Sequence, residues 1–559
     1  GGRLYGCRPG GVFALEQPKP GGEPKAVWEA AVEGHPVRLA AANGRLYVSM
    51  LEGRLCCFGA KKQTTRVIDA SGNKTALGDA VALAQAREIL DATGVSDGYA
   101  LLPDIGNGEL AAALARESRL HIVGAGPDRA VSAAREMLDA RGLYGMRVAL
   151  LEGDCERLSF PPYFARLAVL NDKDDDFAAS TEQVSKLYEC LRPYGGVACM
   201  AAGRDAADTL EKAIAKVELP GAQVERKGNL VLLRRTGPLP GSADWTHHYA
   251  DASNSLVSGE TCVRAPLGIL WFGGSSNKDI LPRHGHGPSE HVVDGRLFIE
   301  GPDMIRALDV YTGRVLWQVS LPAIGAAYDN TSHQPGANAI GSNYVSLADG
   351  IYVAYGAKCL RLDPATGRVM SEFSLPIPEG AAEPPDFGYI GVWEDVLVAG
   401  SGPLRYDEEI KGETWNAVAS KRIVAMDRHT GAPLWSHTAD TAFRHNAIAL
   451  GGGKVFCLDR TTDELRERLA RRGIEMPDSG RLLALDLRTG QEQWQVQEGV
   501  FGTWLGYSQQ HDLLLQAGRA SGDMLKDETN DRMTVYRAQD GSILWDRQMN
   551  YGGPCMLHG

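Results

Sequence analysis

Ile305-Arg306-Ala307-Leu308-Asp309-Val310-Tyr311-Thr312-Gly313-Arg314-Val315-Leu316-Trp317 is the stretch on which the fold turns, because the chain repeats it. It returns as Ile423-Val424-Ala425-Met426-Asp427-Arg428-His429-Thr430-Gly431-Ala432-Pro433-Leu434-Trp435, and again from Leu482 to Trp494 with Asp486, Thr489, Gly490 and Trp494 in register. Degenerate copies run from Cys359 to Phe373, around Asp363, Thr366 and Gly367, and from Thr534 to Trp545, around Gly541 and Trp545. Each copy reads as an alternating strand, a turn and a second strand. In the turn, Asp or Thr bonds its own backbone and Gly supplies a positive φ. A further short strand precedes several copies, as at Gly295 to Ile299, Gly350 to Val353 and Gly453 to Cys457. The repeat aspartates Asp309, Asp363, Asp427 and Asp486 lie 54 to 64 residues apart. That interval has room for a four-stranded sheet, and several such sheets in succession predict a radial all-β propeller.

The chain is long enough for this and more. Its 559 residues exceed the roughly 250 to 300 at which one hydrophobic core stops growing. With 66 Gly, 28 Pro and 23% charged residues it is turn-rich without collagen-like or disordered bias. A net charge of -12 and the absence of any Lys/Arg-rich run exclude a phosphate-tracking surface, so nucleic acid is not an expected partner. No apolar run is long enough to span a bilayer. The ten cysteines are too sparse for a disulfide scaffold and form no CxxC pair. The chain opens inside a repeat and stops as another begins, so it reads as truncated at both ends, and the lack of a signal peptide decides nothing.

The pattern A-x-D-x-x-T-G-x-x-x-W resembles the repeat of quinoprotein alcohol dehydrogenases and of the outer-membrane assembly propeller lipoprotein. The resemblance covers residues 1–60 and 250–559 and implies a bacterial PQQ-like propeller of seven or eight blades, exported to the periplasm or secreted. It implies architectural roles for Trp317, Trp435 and Trp494, which dock one blade on the next. In quinoproteins an adjacent cysteine pair in a loop stacks over pyrroloquinoline quinone (PQQ). Cys56-Cys57 instead falls within an apparent strand, Gly53 to Phe58, where neighbouring side chains point to opposite faces. No calcium ligands or catalytic Asp are recognisable beside it, so PQQ is not an expected cofactor.

The strands Asn43 to Val48 and Gly53 to Phe58 are followed by no T-G turn and Trp. From about residue 61 helices and strands alternate, and propeller texture returns near Pro266-Leu267-Gly268-Ile269-Leu270-Trp271. The domains expected are therefore a first propeller part at 1–60, an inserted α/β Rossmann-like domain at 61–240 and the remaining blades at 241–559. Within the insert, helices are expected from Asp79 to Ala92, from Glu109, from Asp128 to Ala140, from a Ser180/Gln183 capping box, and from about Ala206 to Lys216. Strands are expected at Tyr99 to Pro103, Leu120 to Val123, Arg147 to Leu151, Leu167 to Leu170 and Val197 to Met200, with a final hairpin across Lys227-Gly228-Asn229. Gly106-x-Gly108-x-x-Ala111 also fits the dinucleotide fingerprint. The closing hairpin, which puts an antiparallel strand into the sheet, favours a different resemblance.

That hairpin, with Asp104-Ile105-Gly106-Asn107-Gly108, Glu152-Gly153-Asp154 and Leu191-Arg192-Pro193-Tyr194-Gly195-Gly196, resembles class I methyltransferases over residues 79–235. The resemblance implies S-adenosylmethionine over Gly106 and Gly108 beside Asp104, with its adenine near Asp154. Two positions depart from the family. Val123-Gly124-Ala125-Gly126-Pro127 puts Gly126 where the family has the acid that holds the ribose hydroxyls, leaving Asp128 as the nearest carboxylate, and Leu110 replaces the third glycine of the loop. The cofactor site is expected to be degenerate, and no catalytic residue is assigned.

Three other groups invite a ligand. Asn171-Asp172-Lys173-Asp174-Asp175-Asp176 offers hard oxygens for a divalent cation but reads as a solvated loop. His284-Gly285-His286 with Arg283 and His291, and the pair His247-His248, read as sheet-connecting loops with exposed or core-capping imidazoles. No metal is expected. Three functions remain: a binding or scaffold protein for an unknown protein or small molecule, carrying a retired methyltransferase-like domain; an active S-adenosylmethionine-dependent methyltransferase; and, as a minor alternative, a quinoprotein oxidoreductase.

Overall fold

The computed structural model describes residues 2–16, 22–60, 79–153, 160–170, 181–201, 208, 212, 214–273, 279–280, 289–325, 343–404, 419–518, 531–552 and 555–558. The chain divides into two compact units, Gly1–Asn73 and Lys74–Gly559.

The first unit holds two antiparallel three-stranded sheets. One is β1 (Arg3–Arg8), β2 (Gly11–Glu16) and β3 (Lys25–Ala31), the other β4 (Pro36–Ala42), β5 (Arg45–Met50) and β6 (Leu55–Gly59). Strand β5 buries alternate residues Leu46, Val48 and Met50, as a sheet with one dry face must. Trp28 meets Phe58 edge-on at 5.2 Å beside them. Cys56 and Cys57 lie in β6, as expected, and both are free thiols.

The second unit begins with α1 (Ala80–Thr93), β7 (Asp97–Leu102), α2 (Glu109–Glu117), β8 (Arg119–Gly126), α3 (Asp128–Ala140), β9 (Val148–Glu152), β10 (Ala165–Leu170), α4 (Thr181–Cys190), β11 (Gly196–Ala201), β12 (Ala222–Lys227) and β13 (Leu230–Arg235). The Asp79 side chain caps α1 by accepting the Val81 N–H, and Gly94 ends it in the left-handed conformation. The seven strands form one sheet in the order β12-β13-β11-β10-β7-β8-β9. Strands β7 to β11 run parallel, and β13 lies antiparallel between β11 and β12. The expected hairpin is therefore inside the sheet. Ser180 of the expected capping box and most of the helix expected at 206–216 lie outside the described residues.

Antiparallel sheets follow. The first is β14 (His291–Val293), β15 (Arg296–Gly301), β16 (Met304–Asp309) and β17 (Val315–Ser320); the second is β18 (Tyr344–Leu347), β19 (Gly350–Tyr355), β20 (Lys358–Leu362) and β21 (Val369–Ser374). A seven-stranded sheet comprises β22 (Phe387–Trp393), β23 (Val396–Pro403), β24 (Ala419–Asp427), β25 (Pro433–Gly451), β26 (Lys454–Asp459), β27 (Arg481–Asp486) and β28 (Glu492–Val496), with α5 (Asp463–Ala470) between β26 and β27. It is two repeats sharing one long strand: β25 pairs with β24 over Pro433 to Arg444 and with β26 over Phe443 to Gly451. The last sheet is β29 (Trp504–Ser508), β30 (Leu513–Ala517), β31 (Arg532–Arg537) and β32 (Ile543–Gln548).

At three of the turns the repeat motif has the same work. The Asp363 carboxylate accepts the Ala365 and Thr366 N–H groups and the Thr366 hydroxyl, and Asp427 and Asp486 serve Thr430 and Thr489 alike. The glycine that follows receives an aromatic ring from the preceding repeat. Trp317 lies on Gly367, Phe373 on Gly431, Trp435 on Gly490 and Trp494 on Gly541. Three of the indoles also donate Nε1–H to a carbonyl of the turn they cover: Trp317 to Pro364, Trp435 to Leu487 and Trp494 to Ala538, at 2.8 to 2.9 Å. Trp271 does the same for the first sheet, covering Gly313 and donating to the Val310 carbonyl at 2.8 Å, although Ile269 and Phe272 around it are exposed.

A Cβ at Gly367 would stand 2.6 Å from the Trp317 ring at a φ of +71°, whereas Gly453 has nearly the same φ and open space around it. Gly367→Ala is therefore expected to cost about 2 to 4 kcal/mol, backbone strain plus overpacking, against about 1 kcal/mol for Gly453→Ala. Urea unfolding of the two variants checks the difference.

Candidate functional site

Two regions gather polar groups. The first is the carboxyl-terminal edge of the parallel sheet, where an open α/β sheet holds its ligands. The loop after β7 is shaped by its own side chains: Asp104 accepts the Gly106 N–H at 3.0 Å and Asn107 the Glu109 N–H at 3.1 Å. Gly106 and Gly108 both take positive φ. A Cβ at Gly106 would meet nothing, while one at Gly108 would meet Ala134 and Met137 at 2.9 Å, so the second glycine serves the packing of α2 on α3. Glu109 pairs through both oxygens with Arg141, which holds its carboxyl below the usual range.

Sequence reasoning singled out Asp104, Gly106, Gly108 and Asp128, and all four lie at this edge; Asp154 lies outside the described residues. Asp128 is exposed at the start of α3 and accepts the Ser132 hydroxyl. Gly126, at the end of β8, stands where the expected acid is missing. A Cβ there would come 3.0 Å from Ile105 Cγ2, and Ile105 is buried with its N–H bonded to the Ala125 carbonyl. The isoleucine leans on Gly124 and Gly126 together, so apolar packing fills the space beside Gly126. At the end of β9, Glu152 is engaged by Arg135, which also donates to the Leu150 carbonyl.

The second region was not foreseen. Residues 245–257 run across the first strands of successive repeats and bond to each in turn. Trp245 exchanges backbone bonds with Val292 in β14, the Thr246 carbonyl accepts from Ser346 in β18, and His247 Nε2 accepts the Val392 N–H in β22. The Ala252 carbonyl then accepts from Leu450 in β25 and the Ser253 carbonyl from Tyr507 in β29. Asn254 Nδ2 donates to the Ile448 and Leu505 carbonyls and so bridges two of these strands. Ala250, Asn254 and Leu256 all have positive φ, a strained set within seven residues that the surrounding bonds hold in place. His247-His248 lies outside the named strands, in a segment that tertiary pairing, which no local pattern announces, ties to the first strand of one repeat after another.

A small cavity beside the segment is lined by His247, His248, Tyr249, Asn254, Tyr389 and His445. Its walls offer imidazole, phenol and amide groups. Among the described residues no three His, Cys, Asp or Glu side chains gather as a metal would require. Burial lowers the His247 pKa to about 4 and lowers that of His291 as well. His291 stacks on Tyr344 and bonds the Ser346 hydroxyl, which makes it a core residue. Arg283, His284, His286 and the acidic run 171–176 lie outside the described residues.

Residues 361–554 match the family model described as outer membrane protein assembly factor BamB. No curated protein matches the chain. Among solved structures, BamB from Moraxella catarrhalis is similar at 14% identity over 56% of this chain and 75% of its own, with a TM-score of 0.28. A SAM-dependent methyltransferase from Aquifex aeolicus is similar at 13% identity over 28% of this chain and 90% of its own, with a TM-score of 0.23. At such identities and scores neither likeness bears on chemistry. The family match and the strand order of the α/β sheet give a BamB-like PQQ repeat domain and a methyltransferase-like fold in one chain.

His247 can accept the Val392 N–H only while Nε2 is unprotonated. Its folded pKa of about 4 lies below the ordinary imidazole value of about 6.5, so the unfolded chain binds the extra proton first. Stability is full above about pH 6.5 and is lost as pH falls toward 4, by up to about 3 kcal/mol from this group. His247→Gln, which keeps an acceptor without the titration, is expected to flatten the decline in urea midpoint between pH 7 and pH 4.5.

Proposed function

We propose that this protein is a noncatalytic binding or scaffold protein, in which PQQ-like repeats supply a rigid propeller surface and the methyltransferase-like domain is a retired enzyme kept as a ligand or partner module. The observation that carries the reading is Gly126 packed against Ile105 where the resemblance puts a ribose-holding acid. A charge-assisted hydrogen bond is worth about 1.5 to 3 kcal/mol, so its loss weakens S-adenosylmethionine by roughly one to two decades. The proposal takes residues 1–60 and 241–559 as one propeller of seven or eight blades with residues 61–240 inserted. Two observations support the portion from residue 271 onward: the repeated ring-on-glycine contact, and the packing of β14 on β18, β18 on β22, β22 on β25 and β25 on β29; the portion at 1–60 rests on the repeat resemblance alone. The repeat type favours a periplasmic or secreted location, where S-adenosylmethionine, a cytoplasmic metabolite, is lacking. The expected partner is a protein or small molecule, neither nucleic acid nor PQQ.

A second reading, an active methyltransferase, draws on the turned Asp104 to Gly108 loop, in which Asp104, Gly106 and Asn107 are exposed. Isothermal titration with S-adenosylmethionine separates the two. The unmodified chain is expected to bind at least about tenfold more weakly than a site that keeps the acid. Asp104→Ala should weaken binding further, and Gly126→Asp should restore it best together with Ile105→Ala, which clears the 3.0 Å contact. Tight binding by the unmodified chain, with Asp128 holding the ribose, would overturn the scaffold reading in favour of the methyltransferase.

A further inference from the structure

The first repeat uses its motif differently from the others. Asp363, Asp427 and Asp486 each accept a threonine hydroxyl and turn N–H groups. Asp309 keeps one such bond, from the Tyr311 N–H to Oδ1, and gives Oδ2 to Arg192 Nε of the α/β domain at 2.5 Å. Both partners are buried. The rest of the guanidinium is also used: Nη1 donates to the Pro193 carbonyl, Nη2 to the Gly295 carbonyl, and the group lies 5.5 Å from the centre of the Tyr311 ring.

The neighbourhood is built to match. Tyr163 meets Tyr311 edge-on at 5.7 Å, and Arg314 of the repeat reaches Asp97 of the α/β domain at 3.6 Å. A Cβ on Gly295 would stand 2.9 Å from Tyr194, 3.0 Å from Tyr311 and 3.3 Å from Arg192, while Gly453, at the same repeat position before β26, has open space. The glycine that merely turns the chain at Gly453 is here a socket for the α/β domain.

Asp97 begins β7, Tyr163 precedes β10, and Arg192 and Tyr194 precede β11. All belong to the amino-terminal edge of the parallel sheet. The Asp104 to Gly108 loop and Asp128 are at the opposite edge, about 20 Å away along a six-residue strand. We propose that the Arg192 loop is a docking device that mounts the α/β domain on the first repeat by its amino-terminal edge, leaving the ligand edge of the sheet facing away from that repeat. The loop that the resemblance assigns to the approach to the fifth methyltransferase strand thus serves as the mount. The proposal stands whether or not the domain binds S-adenosylmethionine.

The test is hydrogen exchange by mass spectrometry, with calorimetry, on the full chain and three variants. Arg192→Met leaves the Asp309 carboxylate buried without its counter-charge, and Asp309→Asn removes the charge while keeping an oxygen for Tyr311. Asp363→Asn is the control, since its carboxylate serves only its own turn. The first two are expected to raise exchange in β10, β11 and residues 191–196 by about tenfold or more and to separate an unfolding transition for the α/β domain. The control should disturb only β20 and β21. Unchanged exchange in β10 and β11 in both docking variants, or an equal rise in Asp363→Asn, would overturn the proposal. So would failure of both docking variants to accumulate while Asp363→Asn folds, since the pair would then serve the repeat itself.

Discussion

An aromatic ring laid on a glycine is the contact on which the repeat region depends. It demands two things of one position: a left-handed backbone so that the hairpin can turn, and no Cβ so that the ring of the previous repeat can come within van der Waals reach. Each indole then donates its N–H to the same turn, so that apolar burial and a hydrogen bond act on one residue pair. The aspartate and threonine beside the glycine hold the turn in shape to receive it. Because every link joins one repeat to the next, the sheets are coupled in series, and stability is a sum of neighbour contacts.

The α/β domain takes no part in this series. Its sheet completes its own core, with Val131, Ala134 and Leu138 of α3 and Leu120 and Ile122 of β8 packed on one face and Val184 and Leu187 of α4 on the other. Its attachment is instead polar and local, centred on one arginine. A buried ion pair contributes little net stability after desolvation, but it penalises any other arrangement heavily, because separation strands a charge. Asp309 therefore acts less as glue than as an orientation constraint, and the aromatic contacts of Tyr163, Tyr194 and Tyr311 supply the packing around it.

The two polar regions of the molecule differ in kind. At the carboxyl-terminal edge of the parallel sheet, Asp104, Asn107 and Asp128 are exposed, and Gly126 is packed against Ile105. Along residues 245–257, groups are buried, neutral and committed to holding strands together. His247, whose neighbour sequence suggests an ordinary loop, accepts a backbone N–H that a strand would otherwise leave unpaired. Strain at Ala250 and Leu256 is tolerated because backbone carbonyls and amides of other repeats fix the path of the chain.

Local chemistry was enough to read the repeat, its turns and the order of helices and strands in the insert, since each follows from side-chain period, capping and glycine placement within a few residues. The turn from Asp104 to Gly108 was legible for the same reason. What fills the space beside Gly126 was not, because Ile105 reaches it from the loop after a neighbouring strand, β7. Nor was the course of residues 245–257, whose partners lie up to 302 residues away at Leu557, or the diversion of Asp309, which matches its sister aspartates in sequence and differs only in what stands opposite. Sequence determined which residues turn, cap and alternate; tertiary structure alone decided which of several identical motifs would meet a foreign side chain, because that depends on proximity in space and not along the chain.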